Sequence, residues 1–263
     1  MQIRIFQVDA FATQAFSGNP AAVCPLSYWL DDKLLQQIAM ENNLSETAFL
    51  VANKSGFDIR WFTPTEEVDL CGHATLAAAH VLFTHLGHPQ QQLRFYSNSG
   101  ELWVTRNDQG LTLDFPQVEQ QAVEPPKALL KGLNGIVPKQ TFAGMDYLVE
   151  LESEQQLLAL TPDFAAWELL DYRGVIVTAK GDKCDFVSRC FYPELGVKED
   201  PVTGSAHCQL APFWANKLDK SILVAKQLST RGGDIICEVT AQRVLLTGHA
   251  VDYLQGNIWL EEA

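Results

Sequence analysis

The sequence of 263 residues lacks the features that define several large classes of protein. It has no run of basic residues, and its 19 Lys and Arg are outnumbered by 32 Asp and Glu, which gives a formal net charge of −13. Because an acidic surface repels phosphate backbones, we predict that the protein does not bind nucleic acid. There is also no G-x-x-x-x-G-K-[ST] loop and no G-x-G-x-x-G turn that opens a helix after a strand, which argues against the common nucleotide-binding folds.

Long hydrophobic runs and metal-binding motifs are absent as well. The longest mostly apolar segment, residues 74–87, is interrupted by His80 and His85, so it is too short and polar to span a bilayer and we expect no membrane partner. The first residues lack the plan of a signal peptide, and the six cysteines form no C-x-x-C pair. We therefore expect a cytoplasmic protein with reduced thiols. There is no H-E-x-x-H motif and no cluster of His and Cys at the spacing of zinc ligands, so we expect no metal. We interpret His80 and His85 as residues of a helix surface or of the core.

A repeat with a period of 132 residues is the most informative feature that is present. Residues 71–75 (CGHAT) and 203–207 (TGSAH) are two glycine turns, and the shift that places Gly72 on Gly204 (204 − 72 = 132) also aligns more distant positions. The same shift aligns Ala74 with Ala206, Leu86 with Leu218, Ser97 with Ser229, Gly100 with Gly232 and Val104 with Ile236. A fixed long period predicts an internal duplication and two similar domains.

Hydrophobic periodicity predicts the elements of both halves. Each glycine turn opens an apolar helix, over 72–86 and 204–218, and Asp31 or Asp32 can cap an earlier amphipathic helix. Strands are predicted at 3–8, 45–51, 58–62, 93–97, 101–105, 111–115, 147–152, 174–179, 185–191, 222–228, 234–240, 243–247 and 256–260.

The proline-containing segment 116–126 predicts a linker, and therefore domains at 1–116 and 117–263, with a last strand that could pair in either half. A helix that is apolar on all sides belongs at the centre of a domain. We therefore expect an α+β fold of two pseudo-symmetric domains, each a curved, mostly antiparallel sheet or open barrel around one central apolar helix, with the function in their cleft.

Four segments in this order resemble the phenazine-biosynthesis isomerase (PhzF-like) family, which shares its fold with diaminopimelate epimerase. They are residues 16–23 (FSGNPAAV), 43–49 (NLSETAF), 68–75 (VDLCGHAT) and 199–207 (EDPVTGSAH). The resemblance implies two diaminopimelate-epimerase-like domains with a catalytic cleft between them, no cofactor and a homodimer.

Glu46 is the leading candidate for the catalytic acid/base. It lies in a strand of apolar and small residues, where desolvation would raise the pKa of a carboxylate towards a useful range. Alternation puts Glu46 on the same face as Ala48 and Leu50, so it points inward if they do. The alternative is an exposed glutamate at a strand edge. The resemblance places the acid/base of the family at Glu46.

His73 and Asp200 are the next catalytic candidates. His73 lies in the first turn of the predicted helix, where the positive end of the helix dipole should favour a neutral ring. Asp200 precedes the turn before the second apolar helix, and it could be an ordinary turn or cap residue. By resemblance both residues line the site, with Asp200 assisting proton transfer or orienting the substrate.

The remaining candidates would bind substrate. Backbone N–H groups at a helix start bind carboxylates, and glycine lets a ligand approach them, which favours Gly72, Gly204 and Ser205, although Ser205 could equally be a helix cap. By resemblance Asn19 helps to hold the substrate, although Gly-Asn-Pro is also an ordinary turn sequence. We also expect Ser45 and Cys71 at the substrate site, with Cys71 as a small residue that lines the turn.

Cys71 raises a second possibility, because in the epimerase branch of the fold a cysteine from each half moves the proton. Cys71 lies next to a helix N-terminus, which should lower the pKa of its thiol. The duplicated position, however, is Thr203 (71 + 132 = 203), which cannot act as a base.

We therefore predict a cofactor-independent isomerase that moves a proton on a small carboxylate-bearing metabolite, with Glu46 as the single acid/base. Two alternatives remain open. One is an epimerase or racemase that uses Cys71 with a second base, which could be Asp200 or Glu46. The other is a carboxylate-binding protein without catalysis.

Overall fold

The structure is a computed structural model that describes residues 1–261. Its helices are α1 (Asp32–Asn42), α2 (Gly72–Thr84), α3 (Lys127–Gly132), α4 (Glu154–Ala159), α5 (Phe164–Trp167) and α6 (Gly204–Leu218), with a 3-10 turn at Pro193–Leu195. Its strands are β1 (Gln2–Ala10), β2 (Asn19–Leu26), β3 (Glu46–Ala52), β4 (Phe57–Phe62), β5 (Glu67–Val68), β6 (Gln92–Ser97), β7 (Gly100–Asn107), β8 (Gly110–Pro116), β9 (Gln121–Ala122), β10 (Gln140–Ala143), β11 (Tyr147–Glu150), β12 (Val175–Lys180), β13 (Phe186–Tyr192), β14 (Val197–Asp200), β15 (Ile222–Gln227), β16 (Gly233–Val239), β17 (Arg243–Gly248) and β18 (Ala250–Trp259). Within residues 1–261, no helix is both long enough and apolar enough to cross a membrane.

The chain divides into two compact units that differ slightly from the predicted domains. The first contains residues 1–114 and the segment that starts at Thr247, and the second contains residues 115–246. The C-terminal strand β18 pairs antiparallel with β1, from Gln2 opposite Trp259 to Ala10 opposite Ala250. This long ladder places β18 in the first unit, which is one of the two pairings that the sequence left open.

The first unit builds its sheet from β1 to β8, which follow one another along the chain, and from the C-terminal strand β18. β1 lies antiparallel to both β18 and β2, β2 runs parallel to β3, and β3 is antiparallel to β4. β4 then pairs antiparallel with β5 and parallel with β6, which begins the antiparallel series β6, β7 and β8.

The second unit repeats this order and sense of pairing. β10 is antiparallel to β9 and β11, β11 runs parallel to β12, and β12 is antiparallel to β13. β13 pairs antiparallel with β14 and parallel with β15, which is antiparallel to β16. The two long central helices, α2 and α6, occupy corresponding places between β5 and β6 and between β14 and β15. An internal duplication would produce this agreement.

The core forms around α2 and α6, as their apolar sequences predict. Helix α2 buries ten of its thirteen residues and packs against β1, β2 and β3. Helix α6 buries eight of its fifteen residues and packs against β15 and β16. The predicted α+β class with a central apolar helix is therefore confirmed. The short helices α3, α4 and α5 were not predicted, because four to six residues are too few to show a helical period.

We predict that Leu76→Ala lowers the free energy of unfolding by about 2–5 kcal/mol, because Leu76 is fully buried in α2 and truncation leaves a cavity. Leu158→Ala is the matched control, since Leu158 is also helical but 56% exposed. Urea unfolding of both variants measures the difference. Equal losses in the two variants would contradict the central position of α2.

Candidate functional site

Glu46 is the first residue of β3 and stands opposite Ala21 in the parallel pairing with β2. Its side chain is only 18% exposed, although it carries a carboxylate. Residues 47–50 are buried on both faces of β3, and the low exposure of the Glu46 side chain itself shows that it is directed inward rather than along an exposed edge. The predicted orientation is therefore what the structure shows.

His73 lies beside Glu46 in the first turn of α2. Its Nε2 atom is 2.9 Å from Oε2 of Glu46, and the imidazole is buried. Among the described residues, neither of these two atoms has a partner with hydrogen-bond geometry. The contact is therefore an ion pair without a well-aligned hydrogen bond. A buried carboxylate oxygen with unused acceptor capacity is suited to receive a proton.

Asn19 and Ser45 hold the other side of the imidazole. The Ser45 hydroxyl donates to Oδ1 of Asn19 at 3.0 Å, and the Asn19 amide nitrogen lies 3.2 Å from Nδ1 of His73. Asn19 is fully buried at the start of β2. The three strand and helix ends of the first unit thus bring Asn19, Ser45, Glu46 and His73 together, and we call these four residues with Cys71 the first-unit cluster.

The protonation of His73 differs from the prediction. Burial disfavours the imidazolium, but the neighbouring Cys71 and the Glu46 carboxylate outweigh it and raise the pKa of His73 well above its ordinary value. The helix dipole was expected to keep this ring neutral. A carboxylate at 2.9 Å is a stronger influence than the partial charge of a helix terminus, which explains the difference.

Cys71 also differs from the prediction that its pKa would be low. It is the N-cap residue of α2, is buried, and places Sγ 3.5 Å from Nδ1 of His73. Burial and the negative charge of Glu46 raise the pKa of the Cys71 thiol to about 11. At neutral pH the side chain is therefore a thiol and not the thiolate that proton abstraction requires.

Glu46, Cys71 and His73 could also be considered as metal ligands. Their ligand atoms lie within 4.8 Å of one another. The buried Cys71 thiol has a pKa of about 11, so a metal ion would have to displace a tightly held proton, and this donor set is poorly prepared for a metal.

Gly72 and Gly204 begin α2 and α6, as predicted from the repeat. Neither glycine has a positive φ, so their backbones do not demand glycine. The first N–H groups of each helix have no partner within the helix, which leaves donors for an anion at both positions.

Asp200 and the start of α6 are joined by hydrogen bonds within the second unit. The Thr203 hydroxyl donates to Oδ2 of Asp200. Gln227 accepts from the Thr203 N–H at 2.9 Å and donates to the Asp200 carbonyl at 2.7 Å. Asp200 is therefore held in a fixed, half-buried position, and Thr203, not Asp200 or Ser205, is the N-cap of α6.

Arg173 is the residue of this region that the sequence did not reveal. It donates to both carboxylate oxygens of buried Asp146, at 2.8 and 2.7 Å, and to the hydroxyl of Ser205 at 3.1 Å. Burial disfavours its charge, yet Asp146 raises its pKa above the ordinary value. Residues 171–174 (DYRG) read as a polar turn, so nothing in the sequence connected Arg173 with a serine 32 positions away.

We predict that Glu46→Gln lowers the pKa of His73, because burial is then opposed by Cys71 alone and no longer by Cys71 and the carboxylate together. The pKa is measured from the imidazole signals of the labelled protein during an NMR titration. Glu41→Gln, at an exposed position of α1, is the matched control and should leave the pKa unchanged. An unaltered pKa in Glu46→Gln would show that Glu46 does not govern His73.

Comparison with known proteins gives a consistent result. The chain is 51% identical over 260 residues to a Pseudomonas aeruginosa protein named as an uncharacterized isomerase, covering 99% of this chain and 100% of that protein. It is 45% identical to a crystal structure of an Enterococcus faecalis protein of the PhzF phenazine biosynthesis family, with a TM-score of 0.96 and coverage of 99% and 100%. The predicted isomerase class and the predicted resemblance are both confirmed.

The fold extends to more distant proteins. A hydroxyproline epimerase from Agrobacterium vitis shares the fold alone, at 12% identity, with a TM-score of 0.64 and coverage of 99% of this chain and 93% of that one. The family model for phenazine biosynthesis-like proteins matches residues 8–256, almost the full sequence. The chain therefore belongs to the phenazine biosynthesis-like (PhzC-PhzF) protein family.

Proposed function

We propose that this protein is a cofactor-independent isomerase that shifts a proton between two carbons of a small carboxylate-bearing metabolite, with Glu46 as the acid/base. The observation that carries the proposal is the largely buried Glu46 carboxylate, 2.9 Å from the imidazole of His73. A carboxylate in this position can take a proton from carbon and return it at a neighbouring position on the same face. One base is sufficient for such a shift.

His73 would keep Glu46 ready for this step. A protonated imidazole 2.9 Å from Glu46 places a positive charge beside the carboxylate that must accept the proton. When Glu46 carries the substrate proton, the positive ring can stabilise the enolate-like charge that develops on the substrate. Asn19 lies on the other side of the ring, and turning its amide over places the side-chain oxygen where it accepts from the Nδ1–H of the protonated imidazole. The Asn19 amide nitrogen then donates to the Ser45 hydroxyl, so Asn19 and Ser45 act as positioning residues for His73.

The substrate carboxylate would be bound by N–H groups at the starts of α2 and α6, around Gly72, Gly204 and Ser205. Arg173 supports this role because its guanidinium, paired with Asp146, donates to the Ser205 hydroxyl and so fixes the first turn of α6. Asp200 would assist proton transfer or orient the substrate. The two-domain cleft, the homodimer and the cytoplasmic location implied by the resemblance or the composition remain predictions.

An epimerase that relies on Cys71 is less well supported. Its buried thiol has a pKa of about 11, and the equivalent residue of the second unit is Thr203. A carboxylate-binding protein without catalysis would keep the helix N-termini but would have no need for a buried Glu46 next to a charged ring. Both alternatives are distinguished by the experiments below.

The first experiment incubates the protein with a panel of small carboxylic acids in deuterated water and detects deuterium at carbon. For any acid that the wild type exchanges, Glu46→Gln should lower the rate by about 10²–10⁴-fold, the usual contribution of a general acid/base. Glu41→Gln should retain the wild-type rate. Exchange in Glu46→Gln at the wild-type rate would refute the role of Glu46, and unaltered ligand binding without any exchange would favour a binding protein.

The second experiment replaces Cys71 with serine and measures the same exchange. We expect the rate to stay within about tenfold of wild type, because loss of a catalytic base costs far more. A loss of several hundredfold, together with inactivation of the wild type by a thiol-alkylating reagent, would favour the epimerase instead.

A further inference from the structure

A second group of potential metal ligands lies in the first unit and has no part in the proposed reaction. His80 belongs to α2, His85 is the C-cap residue of the same helix, and Asp252 belongs to β18. The two histidine side chains are mostly buried, at 16% and 21% exposure, while Asp252 is 44% exposed. The sequence suggested only helix-surface or core histidines here, because Asp252 is 167 positions away from His85.

The three side chains converge on one point. Nε2 of His80 lies 3.1 Å from Oδ1 of Asp252, and Nε2 of His85 lies 2.9 Å from the same oxygen. Ligands that share a tetrahedral zinc ion, with bonds of about 2.0–2.2 Å, are about 3.3–3.5 Å apart. A small outward movement of the side chains would therefore admit an ion between them.

The backbone around the group holds this arrangement in place. The ladder between β1 and β18 has a bulge at this point, where Gln7 pairs with Leu254 and Val8 pairs with Asp252, leaving Tyr253 as the extra residue. A bulge changes the direction of neighbouring side chains and is common next to functional sites. The His85 ring packs against the buried ring of Phe6, with centroids 4.8 Å apart, which restricts its orientation.

We propose that His80, His85 and Asp252 form a binding site for a divalent transition-metal ion of the zinc type. Two imidazole nitrogens and one carboxylate oxygen suit zinc, cobalt or nickel, whereas calcium and magnesium prefer oxygen ligands alone. The exposed side of Asp252 lets water complete the coordination. His80 also lines an open cavity with His249 and Arg106, which gives exchangeable ligands access. The bound ion would join the end of α2 to β18 and so stabilise the first unit.

The test uses the full chain after removal of metals with a chelator. Zinc binding is measured by isothermal titration calorimetry, and the melting temperature is measured with and without zinc. We expect one ion per chain with micromolar or tighter affinity and a higher melting temperature. Asp252→Asn and His80→Gln should each weaken binding at least about tenfold, the lower range for disturbing a metal site, while their metal-free melting temperatures stay close to wild type.

Two control variants separate this site from other ligands of the chain. His249→Gln changes another histidine of the same cavity, and Cys71→Ser changes the first-unit cluster; both should bind zinc as the wild type does. A cobalt complex of the wild type should show no thiolate-to-metal charge-transfer band. Absence of zinc binding, binding that survives Asp252→Asn and His80→Gln, or loss of binding in Cys71→Ser would each overturn the proposal. None of these outcomes depends on the isomerase reaction.

Discussion

The contact between the Glu46 carboxylate and the His73 imidazole is the interaction on which the candidate site depends. It joins the start of β3 to the start of α2 at 2.9 Å, with both side chains largely removed from water. Burial of either charge alone would carry a large desolvation cost, and the attraction between the two opposite charges offsets part of that cost. The remaining members of the first-unit cluster can be understood through this pair: Asn19 and Ser45 fix the imidazole, and Cys71 is kept as a thiol by burial and by the negative charge nearby.

The two units carry different side chains at corresponding positions of the same arrangement of elements. Cys71 and Thr203 occupy the same N-cap position, and Thr75 and His207 both contact the carbonyl oxygen of that cap residue. The second residue of each helix differs, since His73 of α2 corresponds to Ser205 of α6 (73 + 132 = 205). In the first unit the start of the helix faces Glu46, whereas in the second unit it receives the guanidinium of Arg173. The same arrangement of elements therefore holds an imidazole–carboxylate pair in one unit and a guanidinium–hydroxyl contact in the other.

Much of the fold could be predicted from the sequence, because the signals were local and strong. The starts of α2 and α6 at Gly72 and Gly204 follow from the glycine turns and the apolar runs after them. The inward direction of Glu46 follows from strand alternation. Charge states could not be predicted, because the pKa values of His73 and Cys71 depend on burial, on the contact between the two side chains and on the Glu46 carboxylate, which only the folded structure brings together. The contact of Arg173 with Ser205 likewise joins segments that no sequence pattern connects.

The central claim is that one shielded carboxylate carries the proton in both directions. The most direct measurement is a single turnover in deuterated water of any acid the enzyme converts, followed by analysis of the new C–H position in the product. Because Glu46 is only 18% exposed, we predict that part of the product keeps the hydrogen that left the substrate. Complete replacement of that hydrogen by solvent deuterium in every product molecule would contradict a single shielded base.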